Sequence, residues 1–215
     1  DVVAAKGLAR SRLEVLEALT ALRLCCCDPR LVKIDGKPKN SHESAKLDWL
    51  KESLPELIED GRRILLFSQF TSWLDLLEQD VLSPLGIPFL RLDGSTTDRD
   101  TLVQRFQACE VPLFLLSLKA GGTGLTLTAA DTVILADPWW NPAAEAQAAD
   151  RTHRIGQDKP VFVYRLVCDG TIEERVLAFQ ERKRALLASV LDADGQAVPS
   201  FTEADLADLL APLPQ

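Results

Sequence analysis

The stretch Ile64-Leu65-Leu66-Phe67-Ser68-Gln69 is typical of a buried β-strand, because a short apolar run ends there at two polar residues. Further short apolar runs follow at 89–92, 113–116, 133–135 and 161–164. Helical periodicity falls between or after them, near 71–82, 97–108, 142–155 and 171–191. This alternation of strands and helices predicts an α/β fold, with a parallel sheet covered by helices on both faces.

Two amphipathic helices are predicted ahead of the sheet, at 8–27 and 44–58, with the polar connector Pro29–Ser41 between them. We therefore expect three parts along the chain. They are a helical lead-in over 1–60, a sheet-bearing domain over 61–170, and a long helix with a C-terminal extension over 171–215.

Composition narrows the class of protein. The 215 residues carry a net charge of −8 and no run of apolar residues long enough for a membrane span, and no signal peptide opens the chain. We expect an intracellular protein with no membrane partner. The chain begins at Asp1 and contains no methionine, so we also expect a segment of a longer polypeptide.

The five cysteines are odd in number and lack paired C-x-x-C spacing, and the chain has two histidines. This pattern predicts no metal site, and we expect the cysteines to be small buried residues in a reducing compartment. The acidic net charge argues weakly against nucleic-acid binding. Basic residues are nevertheless grouped in the second half, at Lys119, Arg151, Arg154 and Arg182–Arg184.

Ligands of parallel α/β sheets bind at the loops that leave the carboxyl ends of the strands. The loops at those positions are Ser68-Gln69, Asp93–Thr96, Ser117–Gly124 and Asp137–Asn141. The loop Ser117–Gly124 could form a concavity of backbone N–H groups that suits a phosphate, or it could simply make a tight turn. It is not a Walker A loop, because Leu125 stands where that motif needs lysine.

The helix predicted at 142–155 has clear ends, with Asn141 suited to the N-cap, Pro142 to the first position and Gly156 to the stop. One stripe of this helix carries Gln147, Arg151 and Arg154, at i, i+4 and i+7. The stripe could be half of a phosphate site. The alternative is a solvated helix face, on which Asp150 and Arg154 form an ordinary surface pair.

Taken together, these segments resemble the second RecA-like lobe of the Swi/Snf-related ATPases, which are DNA translocases within the second helicase superfamily. The resemblance covers nearly the whole chain. The matching segments are 22–29 and 44–47 in the lead-in, 64–70 (motif IV), 91–96, 116–128 (motif V), 137–157 (motif VI with the preceding tryptophan segment), and 169–174 at the start of a helix that braces the two lobes.

The resemblance implies a site for ATP with Mg²⁺, bound mainly by a first lobe that lies outside this chain. Arg151 and Arg154 match the motif VI arginines, which reach the ATP phosphates as arginine fingers. Gln147 would lie beside them, and Gly122 and Gly124 would line the nucleotide edge of the cleft. The chain carries neither Walker motif, so we expect it to be inactive in ATP hydrolysis alone.

The resemblance also implies contacts with one strand of double-stranded DNA. The residues that match are Ser68, Gln69, Gly94, Ser117, Lys119 and Trp140. Trp139 is the better candidate for core packing, and Asp93 is expected to be a turn residue. The implied partners are double-stranded DNA, the first RecA-like lobe of the same polypeptide, and a nucleoprotein or stalled polymerase as target.

Two segments depart from the family pattern. Thr126 stands where many members have asparagine, and the lead-in ends in Cys26-Cys27-Asp28-Pro29 where the family has a run like cysteine-asparagine-histidine-proline. Two other classes of function stay open. One is a binding module that acts without hydrolysis, which is distinguished by whether a phosphate-binding lysine loop and an acidic metal motif lie upstream of Asp1. The other is a small-molecule α/β enzyme, which would bind its ligand with this chain alone.

Overall fold

The computed structural model of the protein describes residues 8–34, 37–38, 43–117, 125–140 and 160–191. The chain divides into two compact units, Glu43–Val167 and a unit drawn from Asp1–His42 and Cys168–Gln215. In chain order, the described elements are α1 (Leu8–Cys27), a 3-10 turn (Pro29–Leu31), β1 (Lys33–Ile34), β2 (Lys37–Pro38), α2 (Ala45–Glu59), β3 (Ile64–Ser68), α3 (Thr71–Leu77), a π-helical segment (Glu78–Leu82), α4 (Ser83–Leu85), β4 (Phe89–Leu92), α5 (Arg99–Gln107), β5 (Leu113–Ser117), β6 (Thr132–Leu135), β7 (Phe162–Arg165) and α6 (Ile172–Leu191).

Within the described part of the unit Glu43–Val167, five parallel strands form one sheet in the order β4-β5-β3-β6-β7. The central strand β3 pairs with both β5 and β6, so that Ile64 is level with Leu113 on one side and with Thr132 on the other. The strands coincide closely with the apolar runs of the sequence. The predicted α/β fold with a parallel sheet is confirmed, while the predicted domain boundaries at residues 60 and 170 remain predictions.

Burial explains why the strands appear as continuous apolar runs. Every residue of β3, β5 and β6 is buried, as expected for parallel strands covered on both faces. The edge strand β7 differs, because Phe162 and Val163 are exposed. The interior strands therefore have no solvent-facing side chains to carry function.

Helices cover both faces of the sheet. On one face, Phe67 and Phe114 belong to a buried cluster that includes Phe106 of α5, and the ring centroids of Phe106 and Phe114 lie 5.3 Å apart. On the other face, Trp49 of α2 lies against Tyr164 of β7, with 5.8 Å between ring centroids. The predicted doubly wound arrangement is confirmed.

Local chemistry sets the helix ends. Ser44 caps α2 by accepting a hydrogen bond from Leu47 N at 3.3 Å, and Asp98 caps α5 by accepting one from Thr101 N at 3.2 Å. The single helix expected at 71–82 is found as α3, the π-helical segment and α4, which ends at Gly86 with φ of 64°. No helix in the described ranges is long and apolar enough to cross a membrane.

The other unit contains α1, α6, the 3-10 turn and the strands β1 and β2. Asp28 caps the 3-10 turn by accepting from Arg30 N at 2.9 Å, and it also pairs with the Arg30 guanidinium at 2.7 Å. β1 and β2 then pair antiparallel, with Lys33 level with Pro38. The sequence predicted a polar connector here, and the structure adds this short antiparallel pairing within it.

The cysteines of the described chain differ in burial. Cys27 is buried, whereas Cys25 and Cys109 are exposed, so the expectation of burial is wrong for these two. Cys168 Sγ donates to Cys26 O at 3.2 Å. A hydrogen bond with Cys168, together with burial, raises the pKa of the Cys26 thiol, which therefore stays protonated at neutral pH.

We predict that Leu66→Ala lowers the free energy of unfolding by about 2–5 kcal/mol, because Leu66 lies on the central strand and is fully buried. Leu85→Ala is the matched control, since Leu85 is 41% exposed and loses less contact area. Urea denaturation of both variants measures the difference. Equal losses would contradict the assignment of Leu66 to the core.

Candidate functional site

Four polar residues stand where four strands end, at the carboxyl edge of the sheet. They are Ser68 at the end of β3, Asp93 after β4, Ser117 at the end of β5 and Asp137 just after β6. All are buried, with 0% of Ser68 and 1% of Asp137 exposed. Buried polar groups require hydrogen-bond partners, so this edge must be internally bonded.

Asp137 is the centre of one hydrogen-bond network. Its Oδ2 accepts from Ser68 Oγ at 2.6 Å and from Gln69 N at 3.1 Å. Its Oδ1 accepts from Gln69 Nε2 at 2.6 Å. Ser68 Oγ in turn accepts from Phe70 N at 3.1 Å. One carboxylate therefore fixes the turn that follows β3.

The residues on either side of Asp137 are also held. Ala136 N donates to Phe67 O at 2.9 Å, and Ala136 O accepts from Lys46 Nζ at 2.7 Å. Pro138 O accepts from Gln69 Nε2 at 3.2 Å. Lys46 is 3% exposed, so its ammonium is a buried cation at the start of α2. The segment 136–138 is thus bonded at each of its three residues.

Asp93 shapes the exposed turn after β4. Its Oδ1 accepts from Ser95 Oγ at 2.6 Å and from Ser95 N at 2.9 Å, and its carbonyl accepts from Thr96 N at 3.2 Å. Its Oδ2 accepts from Arg91 Nε at 2.9 Å. The bonds from Ser95, followed by the contact with Arg91, hold the pKa of the Asp93 carboxyl below its usual range despite burial. The prediction that Asp93 is a turn residue is confirmed.

Arg91 connects this turn to the helical layer. Its Nη1 lies 2.7 Å from Asp75 Oδ1 and 2.7 Å from Glu78 Oε1. Burial by itself lowers the pKa of the Arg91 guanidinium. The hydrogen bonds with Glu78 and Asp75 together have the larger effect, so the pKa is raised. The position of the Asp93 turn therefore depends on α3 and on the π-helical segment.

Gln107, at the end of α5, holds the segment that follows residues 118–124. Its Nε2 donates to Thr128 Oγ1 at 3.2 Å, and its Oε1 accepts from Ala129 N at 2.8 Å. The sequence does not indicate the role of Gln107, because its partners lie 21 and 22 residues away. Lys46 lies at a predicted helix start, where the sequence does not indicate its buried partner.

The structure describes part of the predicted site. It places Ser68, Gln69, Gly94, Ser117 and Trp140 at or after the carboxyl ends of strands, as the strand pattern predicts. Trp139 packs against the buried cluster on the α5 face, which confirms it as a core candidate, and Trp140 is half-buried. The predicted residues outside the described ranges are Lys119, Gly122, Gly124, Gln147, Arg151 and Arg154.

Comparisons with known proteins agree with this architecture. The sequence matches the family model for the helicase conserved C-terminal domain over residues 45–156. It is 44% identical over 201 residues to the ATP-dependent helicase fft2 of Schizosaccharomyces pombe, with 92% of this chain and 16% of that protein aligned. It is 41% identical over 202 residues to the SWI/SNF-related matrix-associated actin-dependent regulator of chromatin subfamily A member 1 of Homo sapiens, covering 89% of this chain and 19% of that protein.

A solved structure extends the comparison to the fold. The crystal structure of the C-terminal part of the Fun30 ATPase domain matches with a TM-score of 0.61 and 37% sequence identity. The match covers 82% of this chain and 59% of that chain. The parallel sheet is therefore of the RecA-like kind.

The chain belongs to the family of helicase conserved C-terminal domains. Within that family, it is a C-terminal RecA-like lobe of the Swi/Snf-related group, to which its relatives belong. It spans 16% and 19% of the lengths of the two relatives described.

We predict that Ser95→Ala raises the pKa of Asp93 toward its ordinary value of 3.8, because the Ser95 hydroxyl is the largest cause that lowers it. A carboxyl whose pKa is lower in the folded than in the unfolded state stabilises the fold at pH values above its unfolded pKa. This contribution is lost as the pH falls through the folded-state pKa. The variant should therefore lose stability at neutral pH, and its difference from wild type should shrink in acid.

The Asp93 pKa is read from an NMR titration of the carboxyl carbon, and stability from urea denaturation at neutral and acidic pH. Ser72→Ala is the control, because Ser72 is exposed on α3. An unchanged Asp93 pKa in the Ser95→Ala variant would contradict the assignment.

Proposed function

We propose that this chain is the second motor lobe of an ATP-dependent translocase on double-stranded DNA, a remodeller of nucleoprotein. The observation that carries the proposal is the family match over 45–156, together with the polar loops at one edge of the sheet. The relatives named as ATP-dependent helicases and chromatin regulators support the ATP-dependent part.

In this proposal, Arg151 and Arg154 supply arginine fingers to ATP bound mainly by the first lobe of the same polypeptide. A guanidinium offers a planar fork of donors that matches phosphate oxygens and stabilises the charge of the transferring phosphoryl group. Gln147, Gly122 and Gly124 line the nucleotide edge. Mg²⁺ accompanies ATP and neutralises its phosphate charge, and its ligands belong to the first lobe.

The DNA-facing surface is assigned to loops at the carboxyl edge. Gly94 lies in an exposed turn that Asp93 already holds in shape, which limits the conformational entropy lost on binding. Ser117 ends β5, two positions before Lys119 in the sequence, and Trp140 lies in the segment after β6. Contacts to phosphate carry no sequence information, so binding should be sequence-independent and sensitive to salt.

Ser68 and Gln69 differ from the residues proposed to contact DNA. Ser68 ends β3 and Gln69 follows it, and both were expected from the sequence to meet the sugar-phosphate backbone. The side chain of Ser68 is fully buried, and the donors of both residues already bind Asp137 or Pro138.

The remaining assignments rest on the same family. We divide the chain into a lead-in over 1–60, the RecA-like lobe over 61–170, and a brace helix with a C-terminal extension over 171–215. A location inside the cell follows from relatives that regulate chromatin. The target is a nucleoprotein or a stalled polymerase, which this chain would help to move along DNA.

We predict that Arg154→Ala in the complete motor lowers DNA-stimulated ATP turnover by about 10³ or more, the range of a lost arginine finger, and leaves DNA affinity nearly unchanged. Steady-state ATP hydrolysis with and without double-stranded DNA measures this, beside this chain alone, which we expect to be inactive. Arg105→Ala is the control, because Arg105 forms a surface ion pair with Glu110 that contributes little.

Near-normal turnover in the Arg154→Ala variant would refute the finger assignment. No turnover in an intact, folded wild-type motor would instead favour a lobe that binds nucleic acid or a partner without hydrolysis.

A further inference from the structure

We infer that Asp137 is a positioning residue, which ties the turn after β3 to the segment that leads from β6 toward the proposed arginine helix. On this inference, Ser68 and Gln69 act through Asp137 and do not contact DNA directly. The inference rests on the proposed function, because its consequence is a link between DNA and ATP turnover.

The hydrogen-bond donors of the turn are already committed. Both hydrogens of the Gln69 amide have acceptors, Asp137 Oδ1 at 2.6 Å and Pro138 O at 3.2 Å. The main-chain N–H of Gln69 donates to Asp137 Oδ2 at 3.1 Å, and so does the Ser68 hydroxyl at 2.6 Å. A phosphate group needs donors, and none of these is available while the network is intact.

Burial points the same way. Ser68 is 0% exposed and Asp137 is 1% exposed. A buried carboxylate also repels an approaching phosphate, since both groups are negative. Direct contact between this turn and the DNA backbone would therefore require the network to open first.

The carboxylate suits a positioning role because it is acceptor-only. Three donors converge on its two oxygens, and hydrogen bonds to an ionised group are stronger than those between neutral groups. An asparagine in its place would offer one acceptor oxygen and two competing N–H groups. Asp137→Asn thus keeps the volume of the side chain and removes the convergence.

Asp137 lies in the segment that leaves β6, so the network joins this segment to the turn after β3. The flanking residues Ala136 and Pro138 are bonded to Phe67, Lys46 and Gln69, so the whole exit from β6 is fixed against β3 and α2. Asp137 lies four positions ahead of Asn141, the predicted start of the helix that carries Arg151 and Arg154. On this inference, a shift of the turn after β3 is passed through this contact to the segment that follows β6.

The test uses the complete motor and separates the maximal DNA-stimulated rate of ATP turnover from the DNA concentration that gives half of it. For both Asp137→Asn and Gln69→Ala, we expect the maximal rate to fall about tenfold, a size typical of coupling between two sites. The half-maximal DNA concentration and the DNA-independent rate should stay close to wild type. The double variant should be no worse than Asp137→Asn alone, because one contact cannot be lost twice.

Asp131→Asn is the matched control. Asp131 is also buried, but it lies at the amino end of β6, whereas Asp137 follows its carboxyl end. Its carboxylate accepts from Arg63 N at 3.1 Å and from Thr132 Oγ1 at 2.9 Å. We expect it to lower thermal stability and to leave DNA stimulation unchanged. An equal loss of stimulation in Asp131→Asn would reduce the Asp137 effect to general destabilisation and overturn the inference.

Two other outcomes also overturn it. A large rise in the half-maximal DNA concentration for Gln69→Ala, with the maximal rate retained, would make Gln69 a direct DNA contact. Additive losses in the double variant would mean that the two residues act separately. If Asp137→Asn does not fold, Gln69→Ala and Ser68→Ala give the same split. Absence of DNA stimulation in the wild-type motor would refute the proposed function itself, and this inference with it.

Discussion

A parallel sheet that is buried on both faces can present functional groups only where its strands end. β3 and β5 expose no residue along their length, so the chemistry of this lobe is confined to the loops at the carboxyl edge. The chain must turn at that edge, and each turn places main-chain N–H groups where strand partners are lacking. Asp93 and Asp137 supply acceptors to such groups, and the edge is thereby rigid as well as polar.

These two carboxylates both accept hydrogen bonds from main-chain N–H groups of turns, but their partners lie at different distances along the chain. Asp93 bonds to Ser95, two residues away, so the pattern of the sequence itself contains the turn. Asp137 bonds to Ser68 across 69 residues, and no local sequence pattern at either residue indicates this contact. Local networks of the first kind shape one loop. Networks of the second kind join loops that belong to different strands, and only these allow one loop to affect another.

The same distinction decides what the sequence could predict. The strands, their parallel direction and most of the described helices were predicted from apolar periodicity. The caps Ser44 and Asp98 lie where their residue types favour them. The buried Lys46 could not be predicted, because its acceptor is a carbonyl 90 residues away. Gln107 was missed for the same reason, and the pairing of β1 with β2 because each has only two residues. Side-chain burial also depends on tertiary contacts, which is why the expectation for Cys25 was wrong.

Buried aspartates flank β6 at both ends, Asp131 before it and Asp137 after it. Asp131 accepts from Arg63 N beside the start of β3, and Asp137 accepts from Gln69 N beside its end. The central strands are therefore tied together at both ends, and they resist sliding past each other more than either end alone would allow. Ligands of such sheets bind at the carboxyl edge, so only the Asp137 end lies where a ligand can act on it. The chemistry of the two carboxylates is alike, and the direction of the strands gives them different consequences.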